Sequence, residues 1–119
     1  LWPNLEMWEN SILFLETSEE APSKAYFTRC LRNYAASGIL QRLNGIILGR
    51  PAGLKDEMLY QYDDALHQVV CKEAGLKELP LMTQMDFGHT DPMFLLPYGA
   101  KAQSDADNLS FSLLEGAVV

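Results

Sequence analysis

The sequence predicts an α/β domain with a parallel central sheet and a smaller antiparallel layer. Three apolar, β-favouring runs alternate with two stretches of helical period, which is the βαβ order of a parallel sheet. Two further short strand-like runs then follow, joined by a polar turn, and they supply the antiparallel layer.

The first run, Ser11-Ile-Leu-Phe-Leu-Glu16, is apolar until it ends on a charge, as expected of a central strand buried on both faces. Pro22 suits the first turn of a helix. Phe27, Cys30, Leu31, Tyr34 and Ala35 then recur at helical spacing until Gly38. Leu43 to Leu48 reads as a second strand, closed by the turn Gly49-Arg50-Pro51. From Asp56, Leu59, Tyr62, Leu66, Val69 and Val70 fall on one face of a second helix, with Gly75 as its C-cap. Pro80 to Met85 is the third apolar run and leads into the polar loop Asp86-Phe-Gly-His-Thr-Asp-Pro92. Met93–Pro97 and Leu109–Leu114 read as the last two strands, joined around Ser104 to Asn108.

A chain of 119 residues, 48% of them hydrophobic, is enough for one domain with one core. The formal charge of -7 argues against a nucleic-acid polymer as partner, because phosphate binding needs clustered Lys and Arg. No apolar stretch approaches the ~20 residues that cross a bilayer, so a membrane partner is not expected either. Two cysteines without metal spacing suit a reducing compartment, and the expected location is cytoplasmic. The chain opens on Leu1, directly into Trp2 and Pro3, and is expected to continue a longer protein.

In open α/β sheets ligands gather beyond the carboxyl ends of the strands, which is where Glu16 and the 86–91 loop fall. A carboxylate leaving a buried strand gains from a donor such as an imidazole N–H, although strand-end acids also simply turn to water. His89 sits between Gly88 and Thr90, where an imidazole can act as general base or serve as a hydrogen-bonded structural residue. His67, beside Asp63 and Asp64 on the polar face of a helix, reads as a surface residue. Asp86, His89 and Asp91 include metal-ligating types, but their spacing matches no strong metal motif, and neither metal nor cofactor is expected.

No serine has the surroundings of a nucleophile elbow, and Cys30 and Cys71 lie in helical stretches as packing residues. The sequence therefore offers an acid and a base without a nucleophile. Arg50 can anchor a carboxylate by a bidentate contact or be a surface turn arginine, while Trp2 and Trp8 suit core, rim or interface equally.

Three segments occur together, Leu13-Phe-Leu-Glu-Thr-Ser-Glu-Glu20, Gly45-Ile-Ile-Leu-Gly-Arg-Pro51 and Met85-Asp-Phe-Gly-His-Thr-Asp-Pro-Met-Phe-Leu-Leu-Pro97. In order and spacing they resemble the C-terminal domain of the serine-peptidase family that contains murein tetrapeptide L,D-carboxypeptidases and the microcin C immunity proteins. The resemblance implies a swivelling β/β/α domain that supplies glutamate and histidine to a triad, while an N-terminal domain supplies the serine and oxyanion hole. Glu16 would be the triad acid and His89 the base; substrate-binding residues are not assigned. The implied substrate is a murein peptide or an aminoacyl-nucleotide-like toxin, and Thr-Ser-Glu-Glu after the acid with Thr-Asp-Pro after the histidine leans towards the second. Implied partners are the N-terminal domain of the same protein and, as in relatives, a second copy in a homodimer. The competing expectation is a non-catalytic binding or assembly domain, which a Gly-x-Ser turn upstream of Leu1 would argue against.

Overall fold

The computed structural model describes residues 3–54 and 56–116, so that Trp2 lies outside the described residues. A 3-10 turn over Leu5–Trp8 leads into β1 (Ser11–Leu15). The helix α1 (Lys24–Ala36) follows, then β2 (Leu43–Gly49). The short α2 (Asp56–Leu59) precedes α3 (Gln61–His67), which continues as a π-helical turn over Gln68–Glu73. β3 (Leu81–Met85) ends the α/β unit, and β4 (Ala102–Asp105) and β5 (Ser110–Leu113) form a hairpin.

The α/β architecture with a parallel sheet and a small antiparallel layer is what the sequence predicts. β1, β2 and β3 are parallel and lie side by side in chain order. Among the described strands this makes β2 the centre and β1 an edge, which corrects the placement of Ser11–Glu16 as the central strand. An apolar run reports that both faces are covered; it does not report how many strands flank it. Burial along β2 does, since every residue from Gly45 to Gly49 is buried, whereas in β1 only Leu13 is.

Side chains alternate across this sheet. Leu13, Ile46 and Leu48 point to the helical face and join Phe27, Leu31, Tyr62, Ala65, Leu66, Val69 and Val70 in the main core. Ile47 and Met82 point to the other face, where Phe87, Ile12, Phe14, Leu96 and Phe111 cover them. The result is three layers: helices, parallel sheet, and a layer made of the C-terminal loop and hairpin.

Ser23 rather than Pro22 begins α1, its hydroxyl accepting from the N–H of Tyr26 at 3.2 Å. The helix ends as predicted at Gly38, whose φ of +74° a side chain would strain. The predicted helix from Asp56 is instead interrupted at Tyr60 and widened at its end, where the N–H of Ala74 bonds to the carbonyl of Val69. The wider winding lets the consecutive residues Val69 and Val70 both face the core, each with no exposed surface.

The largest departure lies after the site loop. Met93–Pro97 forms no strand: Met93, Phe94 and Leu95 are exposed, and the N–H of Phe94 is engaged by the carbonyl of Asp86. The partner of β5 is Ala102–Asp105, part of which reads as turn because Gln, Ser and Asp carry little β-propensity. Cross-strand pairing and the hydrogen bonds from Asn108 to the Asp105 carboxylate supply what local preference lacks.

Candidate functional site

Neighbouring strands lie about 4.8 Å apart, so the carboxyl ends of β1 and β3 are roughly 10 Å from each other, with the end of β2 between them. A residue leaving β1 and a residue beyond β3 meet only if one connection crosses that central strand end. Two features of the sequence make the crossing.

The first is a bulge in β3. Ile47 pairs with Met82 but Gly49 with Met85, which leaves one extra residue on β3, and Gln84 takes a φ of +57°. Such a bulge bends its strand and re-aims the residues beyond it. The Asp63 carboxylate of α3 holds it, accepting from Thr83 Oγ1 at 3.1 Å and from Gln84 Nε2 at 3.1 and 3.2 Å. The second is Gly49, the last residue of β2. A Cβ there would stand 2.6 Å from the carbonyl oxygen of Phe87 and 3.1 Å from its ring, so the loop runs directly over this glycine.

The crossing delivers Gly88 against Glu16. Gly88 has a φ of +85°, and a Cβ on it would collide with Glu16 Oε2 and fall 2.9 Å from Glu16 Cβ. One residue further, His89 Nδ1 stands 3.7 Å from Glu16 Oε2. That is ion-pair range, and somewhat longer than an N–H···O hydrogen bond. Both side chains are open to solvent, Glu16 at 48% and His89 at 40%. The residues singled out in the sequence are thus brought together from nearly opposite ends of the unit.

The flanking residues differ from one another. Thr17 is buried at 5% exposure, whereas Ser18, Glu19 and Glu20 face water. Arg50, next after Gly49, points its guanidinium at the chain's own loop: Nη2 lies 2.8 Å from Asp86 Oδ1 and 3.4 Å from the carbonyl of Asp91. Arg50 meets a carboxylate of its own loop through one nitrogen, without the bidentate grip expected of an anchor, and remains a partly exposed turn residue. His67 is exposed at the end of α3, and Cys30 and Cys71 are free thiols, half-buried. Trp8 packs edge-on to Tyr34 at the margin of the core. Among the described residues no group of three or more His, Cys, Asp or Glu side chains converges as a metal site requires. No helix there is long and apolar enough to cross a membrane.

A carboxylate beside one nitrogen of an imidazole fixes the ring and favours a proton on that nitrogen, leaving the other as a base. Glu16 and His89 approach one another in this sense, at ion-pair range. What the sequence reading missed was Gly49, the residue over which the loop crosses; the signal was a glycine at the end of a strand, where close backbone approach is a standing reason for one.

Residues 1–103 match the LD-carboxypeptidase C-terminal domain. The chain belongs to this serine-peptidase family. It is 31% identical over 113 residues to a protein assigned as a carboxypeptidase in Synechocystis, an alignment that covers 90% of this chain and 35% of that protein. It is 29% identical over 115 residues to the microcin C7 self-immunity protein MccF of Escherichia coli, covering 92% of this chain and 30% of MccF. Among solved structures, an MccF-like protein from Streptococcus pneumoniae in complex with AMP superposes with a TM-score of 0.73 at 28% identity, over 95% of this chain and 31% of that one. The chain thus spans about a third of the length of these relatives.

Proposed function

We propose that this chain is the half of a serine-type amide hydrolase that contributes the acid and the base, Glu16 and His89, to a triad completed by a serine on another domain of the same protein. The observation that carries the reading is the approach of His89 Nδ1 to Glu16 Oε2 at 3.7 Å, reached only because Gly49 and Gly88 let the loop cross the sheet end. Family membership supports it, as does the site's exposure, since an interdomain cleft needs a second wall.

In this reading Glu16 holds the Nδ1–H tautomer and leaves Nε2 free. Nε2 takes the proton from the serine hydroxyl as its oxygen attacks the substrate carbonyl, and Glu16 stabilises the resulting imidazolium. The imidazolium then returns the proton to the leaving amine as the C–N bond breaks, and water repeats the sequence to free the acid. The substrate class is an amide, either an L,D-peptide bond of a murein peptide or the amide of an aminoacyl-nucleotide-like toxin. The AMP bound by the pneumococcal relative favours the nucleotide-linked class.

The test uses the full-length protein with an L,D-tetrapeptide and an aminoacyl-nucleotide amide as alternative substrates. His89→Ala lowers turnover of the substrate that is cleaved by on the order of 10⁴-fold or more, because triad members act as a unit. Undiminished turnover in that variant would assign the base elsewhere.

A further inference from the structure

We propose that Arg50 is a positioning residue for His89, holding both feet of the loop that presents the imidazole. The inference rests on the triad reading above.

The loop leaves β3 at Met85 and returns past Asp91, with His89 between. Its departure is fixed by the main chain of Arg50, whose N–H donates to the carbonyl of Met85 at 2.8 Å. The side chain of the same residue then takes hold of Asp86 at 2.8 Å and of the Asp91 carbonyl at 3.4 Å, both through Nη2. Nη2 carries two hydrogens, so one nitrogen can serve both acceptors. The contact to Asp86 is charge-assisted and short; the contact to Asp91 is longer. A fourth tie, from the N–H of Phe94 to the carbonyl of Asp86 at 2.8 Å, closes the loop beyond Asp91.

Position and exposure separate this role from one in stability. Arg50 extends from the end of β2, the most buried strand, so the clamp is built on the rigid part of the sheet. The Arg50 and Asp86 side chains are 36% and 52% exposed, and ion pairs so exposed contribute little to stability. The variant should therefore fold. Both loop contacts use Nη2 alone and Nε has no hydrogen-bond partner among the described residues, so a role in gripping a substrate carboxylate is told apart by the KM-against-kcat split below. The clamp instead acts at a distance from the reacting atoms, by keeping Nδ1 of His89 over Glu16, where a displacement of about 1 Å can cost on the order of 100-fold in rate.

The experiment compares full-length wild type, Arg50→Ala, Arg50→Lys and Asp86→Asn, with His89→Ala alongside, on the L,D-tetrapeptide and the aminoacyl-nucleotide amide. Arg50→Ala is expected to lower kcat by about 10- to 100-fold at unchanged KM. Arg50→Lys recovers part of that loss, and Asp86→Asn reproduces part of it from the other side. Hydrogen exchange of the 86–94 segment rises in Arg50→Ala, a readout independent of turnover. A raised KM at unchanged kcat would make Arg50 a substrate ligand and overturn the proposal, as would unchanged kcat and exchange. Full activity in His89→Ala defeats the triad reading instead, and the exchange measurement then decides alone whether Arg50 holds the loop.

Discussion

The two ends of this molecule are built differently. Up to Met85 the chain packs around Leu31, Ile46, Tyr62, Leu66, Val69 and Val70, each with no more than 1% of its surface exposed. Beyond the site loop, Leu95, Tyr98 and Leu109 are 82–89% exposed. Both regions are rich in apolar residues, so composition does not separate them. The difference lies in partners: the helices close over one face of the parallel sheet, while the hairpin layer covers only part of the other. The site stands at the seam, with Glu16 fixed by the packed unit and His89 on the connection that leaves it.

This contrast is sharpest where side chains of one type are truncated in both regions. Leu66→Ala should cost about 2–5 kcal/mol, read from the urea midpoint, because a cavity opens between α3 and the sheet. Leu109→Ala should stay within about 0.5 kcal/mol. Equal losses would mean that the hairpin layer carries as much of the core as the helices do.

A second substitution tests the seam itself. A methyl group at Gly49 meets backbone, the Phe87 carbonyl at 2.6 Å, and cannot be relieved by turning a side chain. Gly49→Ala should therefore cost roughly 1–3 kcal/mol and lift the loop off the sheet end. In the full-length protein it should lose turnover more steeply than stability, since His89 travels with Phe87. A stable variant with normal turnover would show that the crossing tolerates more room than the fold displays.

The smallest effect concerns the outer surface of the packed unit. Arg32 forks onto Glu73 with bonds of 2.8 and 2.7 Å, linking α1 to the π-helical turn. Its hydrogen bond holds the Glu73 carboxyl down to about 2, from an ordinary 4.5. The folded value is depressed, so the stabilisation is present above the unfolded value and is lost as pH falls from about 4.5 towards about 2. Urea midpoints of wild type and Glu73→Gln should differ slightly near neutral pH and converge in acid, the gap being small because the pair is at the surface and screened by salt. A gap that grows in acid would reverse the assignment.

Much of this organisation was legible in the residues. β1, β2, β3 and α1 announce themselves through apolar runs and the stops Gly38 and Gly49, because there local pattern and tertiary demand agree. Glu16 and His89 could be singled out by their place after strands. The order of strands could not, since edge and centre share an apolar pattern when both faces are covered. Nor could β4, whose Gln103, Ser104 and Asp105 are strand only by virtue of Phe111 and its neighbours across the hairpin. Apolar Met93–Leu95 misled in the opposite direction, because β-favouring residues without a strand beside them do not make one.

The chain-order sheet has a consequence for how the molecule comes into being. Glu16 and His89 follow the first and third strands, and each parallel step requires a helical crossover to dock before the next strand can pair. A chain emerging from its N-terminus thus carries Glu16 long before it carries a histidine to match, and folding to β2 brings the two no closer. Only when β3 is seated, its bulge held by Asp63 and its loop laid across Gly49, does the imidazole arrive. The Glu16–His89 pair is therefore a reporter of the finished sheet: every partly folded state in which β3 is loose is also a state without the pair.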